Sequence, residues 1–415
     1  MRNNHTLFRC ALLGSALAIA ALTPALSAQP SRDDLKRTLA IKGKHAFAAE
    51  QKNGSASGLS VADATYTVLH QFTGTDGSDS TANVALDGDG NIYGTTEFGG
   101  AHGDGTVFKL TPDGTETVLH SFAGTDGSEP DGGVIVRRNG DLYGTASAGG
   151  STGNGTLFKL TSKGKYKVLH EFTANDGSFI RGDLIRDKFG NMYGTGLFGG
   201  ANGDGTVFKY APDGTFTVLH AFNGTDGEFP EHGVVSDKDG NLYGVTAFGG
   251  ADDNGTVYKI TSDGTFSTVY SFTGGTDGGF LYGGMDIDKD RNLYGSTDQG
   301  GTNGQGTVFK LTPSGTLTTL YNFTGGTDGG SPESDMLLVG NNLYGVATEG
   351  GDAGCQCGAV YKVTAKGKEE VLHAFTGTDG SGYSGGLASS NQLLYGTTSS
   401  GGTNSNGVVL SVTKK

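Results

Sequence analysis

The chain has 415 residues, 76 of them Gly and 8 Pro, with a formal charge of −14. Sparse Pro and the lack of Gly at every third position exclude a collagen-like rod, and recurring Val, Thr, Phe and Tyr exclude low-complexity disorder. So acidic a surface repels nucleic acid and anionic lipid, and neither is an expected partner.

The first element is an export signal. Arg2 and Arg9 precede an apolar stretch from Ala11 to Leu22, and small residues come after it around Ala25-Leu26-Ser27-Ala28. That order predicts a signal peptide over residues 1–28, too short and wrongly flanked for a membrane span. Cleavage near Ala28 would remove Cys10, Arg2 and Arg9 and take the formal charge from −14 to −16. Residues 29–63 read as a polar leader: a short helix over 33–51 with a cap near Ser31, then a Gly/Ser linker. The leader is a spacer or a partner-docking tail.

From residue 64 onward the sequence repeats. Val-Leu-His begins at Val68, Val118, Val168, Val218 and Val371, and Thr-Val-Tyr (268–270) and Thr-Leu-Tyr (319–321) fill the gaps. Tyr93, Tyr143, Tyr193, Tyr243, Tyr294, Tyr344 and Tyr395 keep the same beat. So does a Gly-Thr-Val-Phe-Lys element starting at Gly105, Gly155, Gly205, Gly255, Gly306, Gly358 and Gly407. Three markers, each present seven times at intervals near 50 residues, define a tandem repeat.

Each unit reads as four short strands. In the second unit these are 133–136, 141–146, 155–161 and 166–172. Tight Gly-containing turns join the first pair and the last pair, with Asp-Gly at the same places in other units. The expected fold is therefore all-β: a seven-bladed β-propeller of four-stranded antiparallel blades over residues 64–415. A lone fourth strand at 66–72 precedes the first full unit, and the last unit lacks its fourth. The N-terminal strand should thus close blade seven and leave no open edge at the join.

Leu-Tyr-Gly-Thr, Gly-Gly and Gly-Thr-Val-Phe-Lys-Leu-Thr-Pro-Asp-Gly-Thr, in that order, resemble the GloVer-type tandem repeats of exported bacterial proteins. The resemblance covers about residues 64–413. It implies export, often with a C-terminal anchoring domain, and implies no particular reaction. The sequence ends at Val412-Thr413-Lys414-Lys415, so no covalent anchor is expected.

The repeated polar residues carry two readings each. His70, His120, His170, His220 and His373 share their slot with Tyr270 and Tyr321. A ring with one polar tip suits all seven, so packing against the next blade is expected over metal binding; strand alternation puts His70 on one face with Val68 and Phe72. Asp76, Asp126, Asp176, Asp226, Asp277, Asp328 and Asp379 each precede Gly between blades. They are expected to form Asx turns, with calcium binding as the alternative. Acids alternate at Asp87, Asp89, Asn91; at Asp237, Asp239, Asn241; and at Asp286, Asp288, Asp290, but without the Gly and Glu of a calcium loop. No cofactor is expected, with calcium the one possibility. Cys355 and Cys357, in an exported chain, are expected to form a local disulfide, with free thiols or a metal pair as alternatives.

Ligand chemistry is sought where the repeat does not repeat. Five residues after each repeated Asp, the chain enters an innermost strand with Thr81, Asp131, Arg181, Glu231, Tyr282, Glu333 and Ser384. With His232, Tyr383, Asp183 and Asp335 nearby, these form a candidate site at one mouth of the channel. The predicted ligand-binding set is Asp131, Arg181, Glu231, His232, Tyr282, Glu333 and Tyr383. Glu231 and Glu333 are the candidate acid–base pair, with Arg181 a clamp for a carboxylate or hydroxyls. Phe98, Phe198 and Phe248, each before Gly-Gly, are stacking platforms or fillers between blades. Gly-x-Ser-x-Gly around Ser151 and Ser384 lacks the strand-to-helix context of a nucleophile elbow.

These features predict an exported, non-enzymatic, monomeric scaffold. Its partner would be an extracellular or cell-envelope ligand, a carbohydrate or a peptide. The alternative is a glycan-active hydrolase or lyase working through the acidic mouth.

Overall fold

Strand β1 (Tyr66–Gln71) is the first strand of the described residues and does not pair with its neighbour in sequence. The next four strands, β2 (Ala85–Leu86), β3 (Ile92–Thr96), β4 (Thr106–Leu110) and β5 (Glu116–Ser121), form one antiparallel sheet in sequence order. The computed structural model describes residues 64–351, 354–382 and 385–414. Among these it contains 28 strands in seven four-stranded sheets and no helix. We number the sheets as blades: blade 1 spans residues 85–121, blade 2 135–171, blade 3 185–221, blade 4 235–271, blade 5 286–322 and blade 6 337–374. The expected signal peptide, the leader, Tyr383 and Ser384 lie outside the described residues.

Blade 7 is built from both ends of the chain. Strands β26 (Ala388–Ser390), β27 (Leu393–Thr398) and β28 (Val408–Thr413) supply three strands, and β1 pairs antiparallel with β28 through Tyr66↔Val412 and Gln71↔Val408. Tyr66 then ties this strand to blade 6: its hydroxyl donates to the Asp379 carbonyl at 2.6 Å, and its ring stacks on His373.

The core lies between blades rather than within a sheet. Among the described residues there are seven buried apolar clusters, and each draws on two successive blades. Phe122 and Val107 of blade 1 meet Phe158 and Leu160 of blade 2, for example, and Phe72 and Val409 of blade 7 meet Phe108 and Ile92 of blade 1. Seven interfaces for seven blades close the ring, which defines a seven-bladed β-propeller. Full burial of each such side chain contributes about 1.5–3 kcal/mol.

Strand four departs from simple alternation. In β1 the pairing slips between Val68 and His70, which leaves Leu69 as an extra residue, and every other fourth strand slips at the equivalent place. A bulge of this kind turns two consecutive side chains to one side. Leu69 and Phe72 therefore pack toward blade 1, while Tyr66 and Val68 pack toward blade 6. The expectation that Val68, His70 and Phe72 share a face is corrected: only His70 and Phe72 meet, edge to face at 5.2 Å.

The innermost strands are shorter than expected, two residues in blade 2 instead of four. The residues before them bond to neighbouring blades: the Gly133 N–H donates to the Asp183 carboxylate at 2.6 Å. Approach here is so close that a Cβ on Gly233 would collide with the Asp183 carbonyl.

Candidate functional site at the channel mouth

The repeated His and the repeated Asp prove to be one feature. His70 Nε2 lies 3.0 Å from Asp76 Oδ2, and His120, His170, His220 and His373 pair with Asp126, Asp176, Asp226 and Asp379 at 2.9–3.2 Å. In blades 4 and 5 the Tyr270 and Tyr321 hydroxyls donate to Asp277 at 3.1 Å and Asp328 at 2.8 Å. The same carboxylates accept a backbone N–H from their own loop, as Asp76 does from Thr73 at 2.7 Å. Burial alone would raise the Asp76 and Asp379 carboxyls, but these hydrogen bonds outweigh it and hold both below the usual range. Burial dominates at His120 and His220 and pushes both imidazoles down.

Four of these His stack on a ring from the next blade: His120 on Tyr166, His170 on Phe216, His220 on Phe266 and His373 on Tyr66, at 3.6–4.1 Å. Glu116 takes that slot against His70, where burial and Asp76 push its carboxyl up to about 7. His70, Asp76 and Glu116 place three donor atoms within 4.8 Å of one another.

The acidic hairpins spend their carboxylates on their own turns. Asp87 accepts the N–H groups of Asp89 and Asn91, the Asn91 amide and the Tyr93 hydroxyl. Asp237 does the same, and in blade 5 the equivalent is Asp288 with Asp290 and Asn292. Asp286 belongs instead to an inner strand and accepts the Leu338 N–H of blade 6 at 2.8 Å. Cys355 and Cys357 are joined in a disulfide, with 5.2 Å between their Cα atoms.

At the mouth, Asp131, Arg181 and Glu231 come together from the crossovers into blades 2, 3 and 4. Arg181 Nε donates to Asp131 at 2.9 Å and its Nη1 to Glu231 at 3.2 Å, while Thr81 donates to the other Asp131 oxygen at 2.9 Å. Arg181 thus holds two carboxylates of its own chain. Tyr282 is 9% exposed, and its hydroxyl has no hydrogen-bond partner among the described residues. Burial raises its pKa far above the ordinary phenol value, and nearby Glu231, Asp298 and Glu333 add to this.

One layer deeper, Asn83 spans the channel. Its amide nitrogen lies 2.5 Å from Asp183 and 2.6 Å from Asp335, carboxylates of blades 3 and 6. The Gly284 N–H and His232 Nδ1 both reach Asp335 Oδ1, at 2.6 and 2.7 Å. Burial would lower the His232 imidazole, but Asp335 overrides it and raises it; His232 in turn holds Asp335 low. Burial and Asp335 push the Asp183 carboxyl up to about 6. His232 is thus part of this brace through Asp335.

Two further rings of residues escaped the sequence reading. Asp79, Glu129, Phe179, Phe229, Phe280 and Ser331 occupy one repeat slot, every one in the left-handed backbone region with φ between 48° and 60°. Gly would adopt that conformation at least cost and stands there only at Gly382, so six side chains are kept against backbone preference. The N–H groups of Glu97, Ser147, Leu197, Ala247, Asp298 and Thr348 bond to the carbonyls of that slot.

The mouth is consequently two-sided. On blades 3–5, Phe179, Phe198, Phe229, Phe248 and Phe280 form an edge-to-face chain with centroids 5.2–5.9 Å apart, continued to Tyr282 at 6.2 Å. Phe198 and Phe248 are part of this arc. On blades 1–2 stand Asp79, Glu97, Glu129 and Asp131. Glu97 is 3% exposed, and its Oε1 has no hydrogen-bond partner among the described residues. Burial, Asp131 and Asp79 raise the Glu97 carboxyl well above its usual range, and burial and Asp131 raise Asp79 to about 7. Both halves are visible once these two slots are read around the ring like the slot of Thr81; Asn83 stands out the same way in a slot otherwise rich in Gly.

The fold is that of a seven-bladed β-propeller, with acids on blades 1–2 and aromatic rings on blades 3–5. The chain belongs to the Gloeobacter/Verrucomicrobia repeat family, which matches residues 40–244 and 230–415. No curated protein matches the sequence. Among solved structures, it is similar to the extracellular domain assigned to a hybrid two-component system of B. thetaiotaomicron, at 12% identity and TM-score 0.55, covering 85% of this chain and 42% of that one. The extracellular domain assigned to a one-component system of the same organism aligns at 11% identity and TM-score 0.54, covering 83% and 39%. The chain thus spans less than half the length of either relative. A gluconolactonase of Xanthomonas campestris aligns more loosely, at 13% identity and TM-score 0.43, covering 85% and 90%.

Proposed function

We propose that this protein is an exported, non-enzymatic binding propeller that engages an extracellular or cell-envelope ligand at the mouth formed by Asp131, Arg181, Glu231, Tyr282 and Glu333. The observation that carries this reading is the Tyr282 hydroxyl, which is buried near Glu231, Asp298 and Glu333 and has no hydrogen-bond partner among the described residues. A buried polar group without a partner costs about 1–3 kcal/mol. A fold that places small or polar residues in the same slot of other blades has no structural need for it. Export rests on the signal peptide expected over residues 1–28.

Glycan hydrolysis or lysis is the second reading, because Glu231 and Glu333 both act on Tyr282. It requires Glu231 to leave Arg181 during turnover.

Thermal-shift screening against soluble polysaccharides and peptides tests the choice. At least one compound should raise the melting temperature of the parent, and Tyr282→Phe should weaken that binding about tenfold while leaving the ligand-free protein no less stable than the parent. No shift from any compound, or shifts indifferent to Tyr282→Phe, would discard the mouth as the site. Chain cleavage lost in both Glu231→Gln and Glu333→Gln would establish the second reading.

A further inference from the structure

The acids beside the mouth are not needed to build the propeller. The repeat is its own control: the slot of Glu97 holds Ser147, Leu197, Ala247, Asp298, Thr348 and Ser399 in the other blades, and the first five of these make the same backbone turn as Glu97. Ser147 and Thr348 satisfy their hydroxyls on neighbouring carbonyls, at 2.5 and 2.9 Å. Among the described residues Glu97 finds no such partner for Oε1, and it is 3% exposed. It faces Asp79 from the crossover into blade 1, Glu129 and Asp131 from the crossover into blade 2, and Arg181 from the crossover into blade 3.

We propose, building on the mouth as the binding site, that Glu97, Asp79 and Glu129 receive an organic cation, an ammonium or guanidinium group, while the Phe179–Phe280 arc takes its apolar body. Charge chooses the sign of the ligand, and spacing chooses its kind. Among the described residues, the donor atoms close enough to chelate a bare metal ion are those of His70, Asp76 and Glu116; the mouth acids do not form such a group. A guanidinium spreads five N–H donors over a rigid plane and bridges carboxylates that a metal ion cannot reach together. Arg181 already does this, spanning Asp131 and Glu231 from two different blades. An incoming cation would repeat that arrangement one step around the ring. Phenylalanine faces and edges on blades 3–5 suit a flat or aliphatic stem reaching across from the cation.

Binding should release protons. The carboxyls of Glu97 and Asp79 are held toward the neutral form, and a cation favours the ionised one. Affinity should therefore rise between about pH 6 and pH 8, the range around the raised Asp79 value.

Calorimetric titration of the propeller with agmatine, and with an N-acetylated, C-amidated Phe-Arg dipeptide, tests this. We expect saturable binding of at least one probe, tighter at the alkaline end of that range than at the acid end. Glu97→Gln and Asp79→Asn should each weaken it tenfold or more, with the melting temperature no lower than the parent's. A stronger signal from the dipeptide would point to polypeptide side chains as the source, and one from agmatine to free amines; both fit the proposed chemistry. Failure of both probes, or binding indifferent to both substitutions, would overturn it. If a neutral saccharide instead binds in a Tyr282→Phe-sensitive, Glu97→Gln-insensitive way, the mouth stands as the site and the cation falls.

Discussion

A buried carboxyl with an unpartnered oxygen is the most informative group in this molecule. Glu97 binds a proton in the folded chain over a pH range where the unfolded chain has released it. Its folded value is raised, so folding binds more protons and stability falls as pH rises above the usual carboxylate range. Glu97→Gln should accordingly raise the melting temperature at about pH 8 and change it little near pH 4, where the carboxyl is largely neutral in both states. Calorimetric scans at the two pH values measure this, and an equal shift at both would refute the assigned ionisation. A stabilising substitution at a position that costs the fold something is the pattern expected where binding, not folding, keeps the residue. His120 and His220 behave oppositely. Their folded values are lowered, so they stabilise above the unfolded imidazole value and lose that contribution as pH falls through it.

At the level of elements, the bulge in each fourth strand and the closing strand matter most. The bulge lets one strand send Leu69 and Phe72 to one neighbour and Val68 to the other, so a single strand mortars both interfaces. In β1 this mortar joins the two ends of the chain. Phe72 is 0% exposed and lies against Phe108 of blade 1. Deleting residues 64–72 should expose the β28 edge and two interfaces and lower the melting temperature by well over about 10 °C, since several large apolar side chains worth about 1.5–3 kcal/mol each leave the core. A truncated chain that melts with the parent would show that the ring does not depend on this join.

For the molecule as a whole, repetition supplies the scaffold and its exceptions supply the chemistry. The seven repeated Asp cap their own loops and hold the ring of the preceding strand. If turn chemistry is their work, neither added calcium nor chelator should move the melting temperature of the intact propeller. A calcium-dependent rise would reassign them, with His70, Asp76 and Glu116 the first place to look. The two-sided mouth exists only because seven crossovers converge. Acids from blades 1 and 2 and rings from blades 3 to 5 are up to about 200 residues apart in the chain.

Blade number, blade composition and the closing strand were all legible in the sequence, because each is dictated by local hydrogen bonding and by a period that recurs seven times. Even the equivalence of His and Tyr in the fourth strand could be read, since both offer a ring with a polar tip. Pairing His70 with Asp76 required the bulge, which strand periodicity does not announce. Only the tertiary structure decided that Arg181 is held by Asp131 and Glu231, that Asn83 braces Asp183 and Asp335, and that Oε1 of Glu97 finds no partner among the described residues. Those outcomes depend on distances between blades. Sequence records the order of side chains along the ring, but closure of the ring sets which of them share a solvent-poor space, and the energy of a charge depends on that space.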